Sequence, residues 1–285
     1  MPNPFKKQGI SYQQGGEWIA SGVGLTAKLA TELASGERSS IALIGSVGSG
    51  KSTALGQCAT SVNAGVVLTY KLDELEHDQA LSLDKRILNE LIDCVGTRAF
   101  DEAAKDLKLI GLTATHVLSR DQRLRLIQRM AEQSLHNDGK PIHVLLDECQ
   151  VPSEKIVGEV DPAKMAEWFG LLKVLAERLT ASNGRLILTI TASPWNQVPP
   201  YAQARFVALR ADSLPASELD AFIKEGLKHT GGDRPDRAAR GLGGRILRAH
   251  EGEVVTVRML HEWLHIAWDR AHRNNDAQLG AAHLA

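Results

Sequence analysis

Features that mark specialised classes of protein are scarce in this chain of 285 residues. It has only three cysteines, Cys58, Cys94 and Cys149, and their spacing fits neither a metal site nor a redox motif. Such sparse cysteine usage is typical of a reducing compartment, so we expect a cytoplasmic protein. No apolar run approaches the roughly 18 residues of a membrane-spanning helix, and the amino terminus lacks the apolar core of a signal peptide. We therefore expect no membrane partner.

Charge of one sign is not in excess either. The 33 lysines and arginines balance 34 acidic residues, which gives a formal net charge of −1. A strongly basic chain would indicate nucleic acid as a partner; this balance does not, although it allows a local basic patch. With 43% hydrophobic residues and no internal repeat, the composition fits a globular protein with one large α/β core and a smaller second domain.

The most informative motif is the octapeptide GSVGSGKS at residues 45–52, which matches the phosphate-binding pattern G-x-x-x-x-G-K-S. Its glycines let successive N–H groups turn toward a phosphate, Lys51 can reach the β- and γ-phosphates, and the Ser52 hydroxyl can ligate Mg²⁺. A glycine-rich surface turn is the alternative, but a buried-strand pattern at 40–44 and helix-compatible residues at 52–59 favour a phosphate loop. The predicted nucleotide-binding residues are Gly45, Ser46, Val47, Gly48, Ser49, Gly50, Lys51, Ser52 and Thr53.

Apolar segments that predict buried strands alternate with helical patterns through most of the chain. The strand segments are 40–44, 65–70, 142–146, 185–190 and 206–209. Among the helices between them, one is predicted to begin at Ser119 as its N-cap and to end at Gly139. This alternation predicts a parallel sheet with helices on both faces.

The strand pattern fades after Ser213, where three helices are predicted, at 215–228, 233–250 and 254–273. The expected fold class is therefore α/β, a three-layer P-loop NTPase with a parallel sheet and a carboxyl-terminal all-helical lid domain. The predicted domains are an amino-terminal arm or linker at 1–24, the nucleotide-binding α/β domain at 25–212 and the helical lid at 213–285.

An acidic pair, Asp147-Glu148, follows the apolar run at 142–146. At the carboxyl end of a strand in the same sheet, Asp147 would hold Mg²⁺ opposite Ser52, and Glu148 would act as general base on the attacking water. The alternative is a pair that merely caps a turn between a strand and a helix. The phosphate loop upstream favours the catalytic interpretation.

Thr189, Thr191 and Ser193 surround the end of the fourth predicted strand. If the sheet places this strand between the first and the third, one of these side chains would face the γ-phosphate and could orient water. We choose Thr191, because the last apolar residue of the strand is Ile190. Threonine is common in strands, so a purely structural role is the alternative.

Two arginines are candidates for contacting the transferring phosphoryl group. Arg205 stands immediately before the fifth predicted strand and is the candidate that acts on the site of a neighbouring subunit. Arg258, at the start of the last lid helix, is the candidate that senses the γ-phosphate within its own chain. Arg210 and Arg245 are the substitutes, and an arginine on a solvated face is the alternative in each case.

The histidines of the chain favour packing over metal binding. His143 lies within a buried-strand pattern and is interpreted as a core residue. His261 and His265 have the i, i+4 spacing that can bind a metal on a helix, but Trp263 and Trp268 flank them, so packing is the favoured interpretation. Cys149 is interpreted as a small buried residue.

Four motifs together resemble the AAA+ ATPases, and more narrowly the ExeA/TniB/MuB-like group, which is similar to origin-recognition ATPases. The motifs are the phosphate loop, the run Asp147-Glu148-Cys149-Gln150, the segment 214–219 with its continuation at 222–224, and Arg258 nine residues before Ala267. The resemblance covers about residues 25–275.

The resemblance implies a Mg²⁺-dependent ATPase that assembles into homo-oligomeric rings or filaments, with each site completed by a neighbour's arginine. Several members of the group work in transposition, so it implies a DNA transaction of a mobile element, with double-stranded DNA and a transposase as partners. A nucleotide-gated signalling or antiphage-defence switch that controls an effector protein is the first alternative. An ExeA-like secretion ATPase is the second, and the lack of a membrane segment or peptidoglycan-binding extension disfavours it.

Overall fold

The computed structural model describes most of the chain. The described residues are 24–35, 37, 39–61, 65–72, 82–109, 118–149, 162–211, 214–228, 235–250 and 255–284. The arm expected at 1–24 therefore lies outside the described residues except for Gly24, and the domain boundaries stay a prediction.

The chain divides into two compact units. The sheet unit comprises Gly36–Ile44 and Cys58–Leu209. The phosphate-loop unit comprises Met1–Ser35, Gly45–Gln57 and Arg210–Ala285.

The sheet unit contains a five-stranded sheet in the order β2-β3-β4-β1-β5. Its strands are β1 (Ser40–Ile44), β2 (Val66–Lys71), β3 (Ile142–Asp147), β4 (Arg185–Ile190) and β5 (Phe206–Arg210). The pairs β1–β4, β3–β4 and β2–β3 run parallel. Every residue of β1, β3 and β4 is buried, which agrees with the continuous apolar runs expected of a parallel sheet covered on both faces.

Helices connect the strands in the order that the alternating pattern predicts. The α-helices are α1 (Gly24–Ala34), α2 (Lys51–Ser61), α3 (Leu83–Val95), α4 (Thr97–Asp106), α5 (Arg120–Asp138), α6 (Pro162–Ala181), α7 (Ala192–Gln197), α8 (Pro200–Gln203), α9 (Ala216–Leu227), α10 (Leu242–Ala249) and α11 (Val257–Arg273). The predicted cap of α5 is confirmed: the Ser119 hydroxyl accepts from the Gln122 N–H, and Gly139 ends the helix in the left-handed conformation. None of the described helices is long and apolar enough to cross a membrane.

The register of the sheet brings three strand ends to one edge. Ile44 at the end of β1 lies beside Ile190 at the end of β4, and Leu146 of β3 lies beside Leu188 of β4. β4 therefore lies between β1 and β3, which is the order that our interpretation of the β4 threonines requires. The phosphate loop continues directly from β1 and the acidic pair closes β3, so both follow from strands that end at this edge.

The phosphate-loop unit has its own apolar core, formed largely by α9, α10 and α11. The helix predicted at 233–250 is shorter than expected, because Gly241 adopts the left-handed conformation (φ +69°) and α10 begins only at Leu242. Residues Arg237–Ala238 instead form β6, which pairs with β7 (Gln278–Leu279). The all-helical lid that we predicted thus also contains a small parallel strand pair.

Candidate functional site

The phosphate loop has the backbone conformation that its sequence predicts. Gly48 and Gly50 adopt left-handed angles, with φ of +81° and +87°, which favour glycine because it has no Cβ. The side chain of Lys51 is buried, and its Nζ donates to the backbone oxygens of Gly45 at 3.0 Å and Ser46 at 2.9 Å. These bonds fix the ammonium group against the beginning of the loop. A strand before the loop and a helix after it, the two conditions for a phosphate loop, are both confirmed.

The start of α11 contacts the phosphate loop. The Arg258 N–H donates to the Gly48 backbone oxygen at 3.0 Å, and Thr256 caps the helix by accepting from the Met259 N–H. The approach is close, because a Cβ built on Gly48 would lie 2.7 Å from the Arg258 Cβ. The backbone of Arg258, the predicted lid arginine, therefore lies beside the loop, and its side chain is exposed. Its role toward the γ-phosphate stays a prediction.

A cavity in the same unit adjoins the phosphate loop. Ser46 and Ser49 of the loop line one part of it. The rest is lined by the start of α1, by residues 255–257, and by Arg210, Ala211, Leu214, Pro215 and Glu218. The Glu218 carboxylate accepts from the Gly24 N–H at 2.8 Å, which joins α9 to the start of α1. The Ser49 hydroxyl is buried and has no hydrogen-bond partner among the described residues. The cavity thus combines apolar walls with polar groups beside the loop.

The acidic pair is held by one hydroxyl on the neighbouring strand. Asp147 is the buried last residue of β3, and its Oδ1 accepts a hydrogen bond of 2.5 Å from the hydroxyl of Thr189 on β4. The same hydroxyl accepts from the Glu148 N–H at 2.9 Å. Thr189 is fully buried, so the orientation of this hydroxyl depends on its two hydrogen bonds rather than on solvent.

The backbone that leaves β3 has an unusual conformation at Glu148. This residue has φ of +61°, a left-handed angle that costs a non-glycine residue about 1–2 kcal/mol. Two backbone bonds of the next residue hold it: the Cys149 N–H donates to the Thr189 backbone oxygen at 2.9 Å, and the Trp168 indole N–H on α6 donates to the Cys149 backbone oxygen at 3.3 Å. Strain that the surrounding structure maintains in this way is common at functional sites.

The thiol of Cys149 is a packing group, as its sequence context predicts. Burial raises its pKa well above the usual value, and the charges of Asp147 and Glu148 raise it further. The thiol therefore stays protonated and unreactive.

Sequence reasoning did not identify Thr189 as the partner of the acidic pair. Thr191 precedes α7 and makes no side-chain capping bond, whereas Thr189, two residues earlier, binds both Asp147 and Glu148. The choice of Thr191 followed the end of the apolar run, whereas the β3–β4 register decides which residue lies beside Asp147. A role for Thr191 toward a phosphate stays a prediction.

The other predicted arginines occupy different environments. Arg205 lies just before β5 and pairs with Glu177 on α6 at 2.7 Å, with the two side chains 50% and 36% exposed. Arg210 ends β5, and Arg245 lies on the exposed side of α10. This ion pair does not test whether Arg205 acts on a neighbouring subunit, and that role stays a prediction.

Several described histidines make packing contacts, and His265 also lies 3.8 Å from the Asp269 carboxylate, a partner that the sequence interpretation missed. The ring of His261 makes an edge contact with Phe222 at 5.0 Å, and within the described ranges no group of three or more potential ligands could hold a metal ion. His143 is buried as predicted, but its Nδ1 has no hydrogen-bond partner in the described part of the chain. Burial, together with the charge of Arg185, lowers the pKa of His143 from 6.5 to about 4.

Comparison with known proteins gives a likeness of fold. No protein-family model and no curated protein matches the chain. Among solved structures, Drosophila ORC bound to DNA is 12% identical with a TM-score of 0.52, and the match covers 96% of this chain and 62% of that one. The RuvB Holliday junction branch migration motor of Thermotoga maritima is 12% identical with a TM-score of 0.50, covering 94% of this chain and 70% of that one.

The ORC1 protein of Aeropyrum pernix in complex with DNA is 15% identical with a TM-score of 0.46; the match covers 90% of this chain and 61% of that one. This chain thus spans less than two thirds of the ORC and ORC1 chains it matches. At these identities the ORC and RuvB likenesses concern the fold alone. They confirm the predicted fold class: the chain has an α/β fold with a parallel five-stranded sheet, similar to AAA+ P-loop NTPase structures.

Proposed function

We propose that this protein is a Mg²⁺-dependent ATPase of the AAA+ type. The observation that carries the proposal is the strand order: β1 leads into the phosphate loop, β3 ends in Asp147-Glu148, and only β4 separates the two strands. Ligands of open parallel sheets bind outside the carboxyl ends of the strands, which is where both motifs follow in the chain. The proposal is also supported by the two hydrogen bonds of the Thr189 hydroxyl, which orient Asp147 and the Glu148 backbone at the end of β3.

The phosphates of ATP would lie on residues 45–53. The loop amides and the positive end of α2 favour an anion, and Lys51 supplies a charge that the Gly45 and Ser46 backbone oxygens hold in place. The adjoining cavity, with apolar walls and the buried Ser49 hydroxyl, is the proposed place of the nucleoside.

Mg²⁺ fits the residues present. The described residues hold no cluster of three carboxylate, histidine or cysteine ligands, which a dedicated metal cage would need. Mg²⁺ in nucleotide sites instead takes one or two protein ligands together with phosphate oxygens and water. Ser52 and Asp147 are the proposed ligands, and the bound ion would neutralise charge that develops on the phosphates.

Glu148 is the proposed general base. A carboxylate at this position would accept a proton from the water that attacks the γ-phosphate. Its backbone is fixed by Thr189, so the position of the carboxylate varies only through its own side-chain rotations. Arg258 would sense the γ-phosphate from α11, whose first turn binds the loop at Gly48.

The proposed biological role is a switch of an oligomer in a DNA transaction of a mobile element. It is supported by the resemblance of the sequence motifs to the ExeA/TniB/MuB-like group, which is an analogy at the level of family. In this role Arg205 would complete the site of a neighbouring subunit, and double-stranded DNA and a transposase would be the partners.

The test of the catalytic assignment is Glu148→Gln. We expect this variant to bind ATP with Mg²⁺ as the wild type does and to lose turnover at least about 100-fold, because a general base supplies that order of rate. Lys51→Ala should lose ATP binding. Glu167→Gln, which changes an exposed glutamate paired with Arg120, is the control and should keep both properties. Unchanged turnover in Glu148→Gln would refute the base, and a wild type without Mg²⁺-dependent turnover would refute the ATPase.

A further inference from the structure

The described arginines of the sheet unit all have partners within the protein. Each of the nine that the structure describes makes an ion pair, a hydrogen bond or a ring contact. The contacts are Arg86 over Tyr70, Arg98–Glu102, Arg120–Glu167, Arg123–Asp84, Arg125–Asp121, Arg129–Glu132, Arg178–Gln128, Arg185–Glu37 and Arg205–Glu177. Internal pairing is therefore the rule for arginine in that unit.

Six arginines of the phosphate-loop unit break this rule among the described residues: Arg210, Arg258 and four that lie close together in the chain. Arg237, Arg240, Arg245 and Arg248 are all exposed, and the structure shows no ion pair, hydrogen bond or ring contact for them within the described ranges. Asp236 is the only acidic residue between positions 235 and 250. We call these four side chains the arginine face.

Helix α10 carries two residues of the arginine face and directs them to solvent. α10 buries Leu242, Gly243 and Ile246, and Arg245 and Arg248 lie on its opposite side. Because they are three residues apart, their Cβ atoms are about 5–6 Å from each other. Two guanidinium groups of the same sign at this spacing repel each other, so the protein gains no stability from placing them together.

Nearby acidic side chains are engaged elsewhere. The Asp220 carboxylate accepts from the Gly243 N–H at 2.6 Å, at the start of α10, and the Glu218 carboxylate accepts from the Gly24 N–H. Both carboxylates serve backbone groups rather than the arginines. Glu225, on the same helix α9, is half-buried. Among the described residues, no acidic side chain is thus seen to pair with the arginine face.

We propose that the arginine face binds the phosphodiester backbone of duplex DNA. Guanidinium groups match phosphate oxygens with paired N–H donors, and contacts of this kind need no particular base sequence. A balanced overall charge of −1 is compatible with this, because positions 235–250 contain four arginines and a single acidic residue. The inference deepens the DNA part of the proposed function and depends on it for the identity of the polyanion.

The surroundings of the arginines favour duplex DNA over two other polyanionic partners. Binding of single-stranded nucleic acid usually needs aromatic rings on which bases stack. The only residue of the segment 235–250 with an aromatic ring is His250, whose ring is already stacked on Trp263 with a centroid distance of 3.8 Å. An acidic protein would need an apolar contact core. Beside the arginines, the exposed residues of this segment include small ones such as Gly241 and Ala249 and no large apolar one.

The test is the affinity for a labelled duplex of arbitrary sequence, measured by fluorescence anisotropy over a series of salt concentrations with Mg²⁺ and a non-hydrolysable ATP analogue. We expect the double variant R240Q/R248Q to weaken binding about tenfold or more and to reduce the salt slope by about 2, as loss of two phosphate contacts would. The matched control R98Q/R125Q removes the same charge from exposed, internally paired arginines and should bind as the wild type does. ATP turnover without DNA should be unchanged in both.

Three outcomes would overturn the inference. One is wild-type affinity and salt slope in R240Q/R248Q, which would place DNA on another surface. Another is competition by poly-glutamate as effective as that by unlabelled duplex, which would show a surface without preference for phosphate. The third is a wild type that binds no duplex at low salt; this would also refute the proposed DNA transaction, whereas ATP turnover measured without DNA would still decide the ATPase separately.

Discussion

The hydroxyl of Thr189 donates a hydrogen bond of 2.5 Å to Oδ1 of Asp147 and accepts one of 2.9 Å from the N–H of Glu148. One buried side chain on β4 thus orients the proposed metal ligand and fixes the backbone of the proposed base. A buried carboxylate is costly unless hydrogen bonds satisfy it, and a bond to a charged acceptor is about twice as strong as a neutral one. Thr189 is therefore a positioning residue for both members of the acidic pair.

Replacing Thr189 by valine keeps the shape of the side chain and removes this hydroxyl. We expect Thr189→Val to lower ATP turnover about 10–100-fold, the usual cost of losing a group that orients a metal ligand. The concentration of Mg²⁺ needed for half-maximal turnover should rise as well, because Asp147 would lose its fixed orientation. Thr189→Ser keeps the hydroxyl and should restore most of both properties. Turnover and its Mg²⁺ dependence are the measurements.

Thr191→Val is the matched comparison for this prediction. It removes a hydroxyl of the same kind two residues along the chain, where the structure shows no capping bond. A loss of turnover in Thr191→Val with an unchanged Mg²⁺ requirement would support our sequence-based choice of Thr191 as the residue that faces the phosphate. A Thr189→Val variant with wild-type turnover and Mg²⁺ dependence would contradict the positioning role.

The sequence predicted the features that depend on local patterns. The glycines and Lys51 of the phosphate loop have fixed spacing, and the apolar runs of β1, β3 and β4 identify buried strands without reference to the rest of the chain. The cap at Ser119 followed from the same local chemistry. Such features can be predicted from the sequence because residues close together in the chain determine them.

Features that depend on how distant segments meet could not be predicted. The partnership of Asp147 with Thr189 depends on the register of two strands that are about forty residues apart in the chain. The contact of Gly48 with Arg258 depends on the position of α11, and the lack of partners for the arginine face among the described residues depends on how neighbouring segments pack. Spacing in the sequence carries no signal for these relationships.

The close approach of α11 to the phosphate loop predicts a sharp effect of Gly48→Ala. The new Cβ would lie 2.7 Å from the Arg258 Cβ, and the φ of +81° disfavours any side chain. The loop must then shift, so we expect affinity for ATP to fall about tenfold or more, since the backbone amides of the loop provide the proposed phosphate contacts. Titration with a fluorescent ATP analogue measures this.

Gly139→Ala controls for the backbone strain alone. Gly139 has φ of +66°, and a Cβ built there has no atom within 4 Å. Its replacement should cost about 1 kcal/mol of the free energy of unfolding without changing affinity for ATP. Wild-type affinity in Gly48→Ala, or an equal loss in Gly139→Ala, would show that the contact with Arg258 does not matter for the loop.

The ion pair between Arg205 and Glu177 allows the proposed action on a neighbouring subunit to be separated from a surface role. The partly exposed pair should contribute at most about 1 kcal/mol to stability. We expect Arg205→Ala to reduce ATP turnover at least about tenfold, because an arginine at the transferring phosphoryl group supplies large rate factors. Glu177→Gln removes the same ion pair but keeps the guanidinium, so its turnover should equal that of the wild type.

Mixed oligomers give the second part of this test. A Lys51→Ala subunit has a defective loop but an intact Arg205, and an Arg205→Ala subunit has the reverse. If the arginine acts on the neighbour, mixing the two variants should give more turnover than the sum of the two measured separately. Equal effects of Arg205→Ala and Glu177→Gln, together with no recovery on mixing, would assign Arg205 to the protein surface.

His143 makes the stability of the protein depend on pH. Its ring is buried beside Arg185, and its pKa in the folded state is about 4, below the value of 6.5 for an exposed histidine. Because the folded pKa is lowered, the unfolded chain binds more protons between these two values. The contribution of neutral His143 to the free energy of unfolding is thus complete above about pH 6.5 and is lost as the pH falls toward about 4.

Replacement by leucine removes this titration while keeping an apolar side chain in the core. We expect the difference in the free energy of unfolding between His143→Leu and the wild type to shift by about 2 kcal/mol in favour of the variant when the pH is lowered from about 7 to about 5. Urea unfolding at both pH values measures the difference, and groups that titrate equally in both proteins cancel. A difference that is the same at both pH values would mean that the His143 ring is protonated as easily in the folded protein as in the unfolded chain.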